Sequence, residues 1–169
     1  MTTIDLRTLR LRSGERLRQA YDVELEPFEL GGQRYDVAPA RPAAAVTIDR
    51  VTSGFLFELE LEAELSGPCF RCLREAGVTT AVRTREYQAT SDDAGEELRT
   101  PYLVDDRLEV SVWARDSVAL ALPAKILCRE DCAGLCPGCG ADLNSEACAC
   151  PPPEPDARWA ALAELRDSL

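Results

Sequence analysis

Histidine is absent from the 169-residue chain, and lysine occurs once against eighteen arginines. Without imidazole there is no histidine general base, no nucleophile–histidine triad and no catalytic zinc site of the usual histidine-bearing kind. Carboxylates are plentiful, at 30 Asp and Glu residues, yet no two of them are marked by spacing as a paired acid and base, so a non-enzyme is expected. The arginine excess is read as genomic base composition. Long apolar runs are missing as well. Met1 to Gly14 holds no continuous apolar stretch and no small-residue cleavage site, and no segment approaches the roughly 20 apolar residues of a membrane span. The expectation is a cytoplasmic chain with no membrane partner, in a reducing compartment where structural disulfides are rare. A net charge of −11 withholds the cationic surface that broad nucleic-acid binding needs. A basic protein or a metal suits such a field better.

What is present reads as a globular protein, with 46% hydrophobic and 29% charged residues, enough apolar material for a real core. The one locally basic segment carries Arg7, Arg10, Arg12, Arg16 and Arg18. Direct RNA or phosphate contact would fall there, although a solvated face is the commoner use of such a run. After Ser13-Gly14-Glu15 a short helix through Ala20 fits, and Tyr21 to Glu26 alternates as a strand. Val46, Thr47, Ile48 and Val51 predict a strand, and Ser53-Gly54 a turn. Beyond it Phe55, Phe57, Leu59, Leu61, Ala63 and Leu65 alternate with Glu58, Glu60, Glu62 and Glu64. That period of two puts an apolar face inward and an acidic face in water, and an antiparallel hairpin is expected. Val78 to Tyr87 continues it as another strand, and Ser91 to Glu97 is a polar loop. Leu108 to Leu122 predicts a core helix carrying Val110, Trp113, Val118 and Leu120, stopped before Pro123. Prolines 151, 152, 153 and 155 read as a stiff linker. Asp156 then caps a helix with an apolar stripe of Trp159, Leu162, Leu165 and Leu169. The expected fold class is α+β. An antiparallel sheet with a core helix occupies residues 1–127 and a cysteine-rich zinc-knuckle module 128–150. The linker and a C-terminal amphipathic helix occupy 151–169.

Eight cysteines fall as Cys69-x2-Cys72, Cys128-x3-Cys132-x3-Cys136-x2-Cys139 and Cys148-x-Cys150. Two residues between cysteines set two thiolates on one side of a tight turn, where both reach zinc at about 2.3 Å in tetrahedral geometry. Eight sulfurs make two closed four-cysteine sites. Cys136-Pro137-Gly138-Cys139-Gly140 is the strongest knuckle signature, since proline fixes the turn and glycine frees amides to face sulfur. The shortest closure assigns Cys136, Cys139, Cys148 and Cys150 to one site and leaves Cys69, Cys72, Cys128 and Cys132 for the other. Cys132 lies close enough to Cys136 to exchange roles, so the number of sites is firmer than the grouping. A thioredoxin-like couple is disfavoured because Cys69 opens no helix in a βαβ pattern. Iron–sulfur ligation is disfavoured because the ferredoxin-type run is absent. The mixture of one-residue and two-residue spacings also resembles the zinc switch of a redox-regulated chaperone, in reversed order. A redox-responsive zinc protein is therefore the alternative reading.

Cys69-Phe70-Arg71-Cys72-Leu73 after a strand and Leu120-Ala121-Leu122-Pro123 before the second cysteine group carry a further resemblance. So do Cys132 through Gly140, the following Asp142-Leu143-Asn144, and Asp156-Ala157-Arg158, where alanine replaces the usual proline. The sequence resembles the bacterial YceD family of large ribosomal RNA subunit accumulation proteins. That resemblance implies a role in accumulation or processing of large-subunit ribosomal RNA, with no known enzymatic step. The implied partner is a pre-ribosomal large-subunit component, either a basic ribosomal protein or the RNA. The acidic balance leans toward the protein.

Overall fold

The alternation that follows Ser53-Gly54 produces the longest strands of the protein. The computed structural model describes residues 1–91, 93–151 and 158. In chain order its strands are β1 (Thr3–Asp5), β2 (Arg16–Asp22), β3 (Phe28–Leu30), β4 (Gln33–Ala38), β5 (Ala43–Val51), β6 (Gly54–Pro68), β7 (Glu75–Ala89), β8 (Leu103–Val104) and β9 (Arg107–Glu109). Helix α1 (Val110–Ala121) follows. Every pairing among the named strands is antiparallel. Strand β6 is the organiser. One of its edges pairs β7 along its whole length, while the other is shared between β5, against Gly54–Leu61, and β4, against Glu64–Ser66. Strand β2 extends the sheet beyond β5, and β3 beyond β4. A second, small sheet runs in the order β1-β9-β8.

Phe57, Leu59, Leu61, Ala63 and Leu65 are buried, as the period of two requires. Helix α1 packs on this sheet, with Val110, Trp113, Ala114 and Val118 buried. A hydroxyl contact of 3.2 Å between Thr84 on β7 and Ser117 on α1 joins them. The helix stops as expected before Pro123. Leu120 departs from expectation and is 86% exposed, in the last turn of a helix that ends at Ala121.

The acidic face of β6 is not simply wet. Glu58 accepts from Arg83 at 2.9 Å and Arg85 at 2.6 Å, and Glu60 accepts from Arg18 at 2.6 Å. The β6–β7 register sets Glu58 opposite Arg85 and Glu60 opposite Arg83, which also pair at 3.2 Å, while Arg18 reaches Glu60 from β2 across β5. Glu62 and Glu64 are exposed.

The short helix through Ala20 is not formed. Arg16–Asp22 is strand β2, in register with β5 from Arg16↔Asp49 to Asp22↔Ala43. The burial of β2 is too slight to impose a period, so pairing with β5 decides the conformation. The chain stays extended past β2, where Val23 and Leu25 are buried and their amides donate to the carbonyls of Pro42 and Ala40.

The chain forms two compact units, Met1–Cys132 and Ala133–Leu169. No helix among the described residues is long and apolar enough to cross a membrane. The expected cap at Asp156 and the apolar stripe of Trp159, Leu162, Leu165 and Leu169 lie outside the described residues, as does most of the proline-rich linker.

Candidate metal centres

The first cysteine turn is held by what precedes it. Gly67, two residues before Cys69, leaves no room for a side chain: a Cβ there would sit 2.5 Å from Cδ1 of Tyr35 and 2.7 Å from the carbonyl oxygen of Arg34. That close approach lets the Tyr35 hydroxyl donate to the carbonyl of Pro68 at 2.7 Å, pinning the end of β6. The Cys69 amide then donates to the Arg74 carbonyl at 2.6 Å and the Leu73 amide to the Cys69 carbonyl at 3.0 Å, which closes the turn. Across from it, the Phe70 amide donates to the carbonyl of Ile126 at 2.8 Å. The stretch after Pro123 is thereby laid beside the turn.

This apposition gathers the sulfurs of Cys69, Cys72, Cys128 and Cys132, all within 4.8 Å of one another. The Sγ atoms of Cys69 and Cys132 are 3.8 Å apart, and those of Cys72 and Cys128 are 3.6 Å apart. Cys69, Cys72 and Cys132 are buried and Cys128 is exposed. The Arg71 guanidinium donates to the Cys132 carbonyl at 2.7 Å, a contact that spacing did not foreshadow. Its one signal in the sequence is a cation between two prospective thiolates.

In the second unit Cys136, Cys139, Cys148 and Cys150 form another set within 4.8 Å, with 3.3 Å between the sulfurs of Cys136 and Cys148. Here the Gly140 amide donates to the Cys136 carbonyl at 2.8 Å, and the Cys136 amide to Ala141 at 2.8 Å. The loop toward Cys148 is stitched by Asp142, whose carboxylate accepts from the amide and side chain of Asn144 at 3.0 and 2.6 Å. The Asn144 side-chain oxygen in turn accepts from the Ala133 amide at 2.8 Å. Cys136 is buried, while Cys139 and Cys150 are exposed.

Neither set has disulfide geometry, since sulfurs 3.3 to 3.8 Å apart lie far beyond a bond of about 2.05 Å. Four thiolates around one ion at about 2.3 Å in a tetrahedron lie about 3.8 Å from one another, so the spacing fits a four-coordinate metal. The acidities of the thiols point the same way. Burial pushes the Cys69 thiol up, but amide hydrogen bonds from Cys72, Cys128 and Arg71 together outweigh it and bring the group down to about 6. The amides of Cys139 and Gly138 likewise bring Cys136 down to about 6. Burial and the surrounding thiols push Cys128 up to about 12, and the Cys139 thiol leads the same effect on Cys150, also up to about 12. Crowded sulfurs cannot all ionise by themselves; a cation among them removes the conflict. Each set could hold a metal ion. Three of the five N-terminal arginines, by contrast, are drawn into ion pairs: Arg7 with Asp5 at 2.8 Å, Arg16 with Asp49 and Arg18 with Glu60.

Among the described residues, fold and site together define an antiparallel β-sheet protein with one core helix and two cysteine tetrads that could each hold a metal ion. The family model described as large ribosomal RNA subunit accumulation protein YceD matches residues 57–166, a span that contains both tetrads, and the chain belongs to that family. An uncharacterized protein of Mycobacterium tuberculosis is 30% identical over 168 residues, covering 96% of this chain and 80% of that protein. An uncharacterized protein of Mycobacterium leprae is 28% identical over 123 residues, 70% of this chain and 56% of its own length. The chloroplastic large ribosomal RNA subunit accumulation protein YCED homolog 1 of Arabidopsis thaliana is 34% identical over 62 residues, 37% of this chain and 19% of that protein. No solved structure matches. The family places the chain in a ribosome-related role.

Proposed function

We propose that this protein is a non-catalytic factor that supports accumulation and processing of large-subunit ribosomal RNA, and so assembly of the large ribosomal subunit, with structural zinc in both cysteine tetrads. The observation that carries the functional part is the family match across residues 57–166. Zinc is supported by the all-thiol donor sets and by sulfur separations of 3.6 and 3.8 Å. Four protein sulfurs around one ion leave no position open for substrate, which suits a structural metal and not a catalytic one. When bound, the metal ties the β6–β7 turn to the stretch after α1 in the first set and closes a short loop in the second. The partner is a pre-ribosomal large-subunit component, and the setting is the cytoplasm, where thiols stay reduced.

Depletion of the protein followed by gradient profiles of ribosomal particles tests the functional reading. Loss of large subunits with persistence of precursor RNA is the expected result, and unchanged large subunits would sink it. Metal analysis of the purified chain is expected to give two zinc ions per molecule.

The alternative, a redox-responsive zinc protein, is favoured by the exposure of Cys139 and Cys150, which leaves those sulfurs open to oxidants. Stoichiometric zinc release under mild peroxide would support it, and metal retained under those conditions would count against it.

A further inference from the structure

The two cysteine turns have the same backbone and opposite surfaces. In each, the residue after the second cysteine is left-handed, with φ +61° at Leu73 and +75° at Gly140, and its amide donates to the carbonyl of the first cysteine. Glycine takes that conformation freely, whereas a leucine is strained by it. Leu73 is only partly covered, at 56% exposed, and Phe70 on the same turn is 53% exposed. The second turn shows what the geometry alone needs: Pro137, Gly138 and Gly140 between and after its cysteines. Single exposed apolar side chains are ordinary on a protein surface. Two on one rigid turn, one of them in a conformation that disfavours it, point to a contact with something outside the chain.

The charges around the turn indicate what that is. Residues 69–75 and 124–131 hold Arg71, Arg74, Lys125 and Arg129 beside Glu75, Glu130 and Asp131. Arg71 is engaged with the Cys132 carbonyl and Arg129 with Asp131 at 3.2 Å. The second tetrad has no such cations, because residues 133–151 include no lysine or arginine. Lys125 stands over the Phe70 ring, its Nζ 5.0 Å from the ring centre. An exposed aromatic ring on the same turn as an exposed aliphatic side chain, with a lysine beside it, matches an unpaired base and its neighbouring phosphate.

We infer that the tip of the first cysteine turn, built from Phe70, Leu73 and Lys125, docks single-stranded RNA, an unpaired base packing on Phe70 and Leu73 while Lys125 faces the backbone. The choice of RNA rests on the ribosomal reading above. The contact is local and specific, as the acidic remainder of the protein repels RNA from other surfaces.

The test uses the full-length, metal-loaded protein and a fluorescent, unstructured RNA of about a dozen nucleotides, read by anisotropy at several salt concentrations. Phe70→Ala and Leu73→Gly are each expected to weaken binding by roughly five-fold or more, and Lys125→Gln to lower the salt dependence by about one phosphate contact. Leu73→Gly carries the decisive sign: it relieves the left-handed strain, so its unfolding midpoint stays equal to or rises above that of the wild type while binding falls. Wild-type affinity in both Phe70→Ala and Leu73→Gly overturns the inference, and so does a wild-type protein that leaves the RNA unbound. Competition by polyglutamate as strong as by unlabelled RNA also overturns it, assigning the tip to an acidic protein. The ribosomal role is judged separately by the depletion profile, so either can fail without the other.

Discussion

The guanidinium of Arg71 donates to the carbonyl oxygen of Cys132 at 2.7 Å, joining residues 61 positions apart. The cation that sits between the first two cysteines thus fixes the backbone of the last cysteine in its set. Arg71→Met keeps much of the side-chain bulk and removes the donor. It is expected to cost about 1–2 kcal/mol of stability and to speed loss of metal to a competing chelator by roughly ten-fold. Thermal unfolding together with a chelator time course checks both, and wild-type values in both measurements would show that the contact is incidental.

The two tetrads close loops of different size, with 63 residues separating Cys69 from Cys132 and 12 separating Cys136 from Cys148. Loop-closure entropy alone makes the longer clip worth about 1.5 kcal/mol more. Cys69→Ser is therefore expected to lower the unfolding midpoint of the sheet unit well below that of Cys136→Ser. The latter releases one zinc per chain and loosens the second unit while the sheet stays folded. Equal midpoints for the two variants would contradict this division of labour.

Glu58 is held below the usual carboxylate range, chiefly by the hydrogen bond from Arg85 and with Arg83 adding to it. A carboxyl whose acidity is raised by folding stabilises the folded state while ionised. That contribution is fully present above the ordinary carboxylate range and is lost as the pH falls through the group's folded value. Glu58→Gln is accordingly expected to be less stable than wild type at neutral pH, the two curves converging as the pH falls below the ordinary carboxylate range. A stability gap that persists unchanged into acid would assign the loss to packing.

Gly67→Ala places a methyl group against the Tyr35 ring and the Arg34 carbonyl, both under 3.0 Å away. The backbone carbonyl cannot swing aside, so β6 must part from β4. The expected loss is about 1–3 kcal/mol in urea unfolding. Because the same residue steers Pro68 into its bond with Tyr35, metal affinity at the first tetrad is expected to fall as well.

Strands β6 and β7 and helix α1 were legible because each carries its own period over a long run, and α1 ends at a proline. The cysteine turns were legible because their spacing is local. Strand β2 was not: its residues pair with β5, and its arginines find Asp49 and Glu60 at distances of 33 and 42 residues along the chain. A count of neighbouring charges therefore read a basic segment where the folded protein has ion pairs. The short strands β1, β8 and β9 exist only through one another and leave no pattern of their own. Gly140 announces a left-handed residue and Leu73 does not, so the feature that separates the two turns appeared only in the backbone.

The position of β6 also limits how the protein can be shortened. A fragment trimmed to the matched span, starting at Phe57, would keep both tetrads and the β6–β7 hairpin but lose β1 to β5. The edge of β6 that β5 and β4 cover would then lie open, a row of unpaired amides and carbonyls ready to template another copy. Such a fragment is expected to self-associate more than the whole chain, visible as earlier elution relative to its mass in size-exclusion chromatography. The upstream strands, which the family match largely leaves out, thus cover one edge of the longest hairpin.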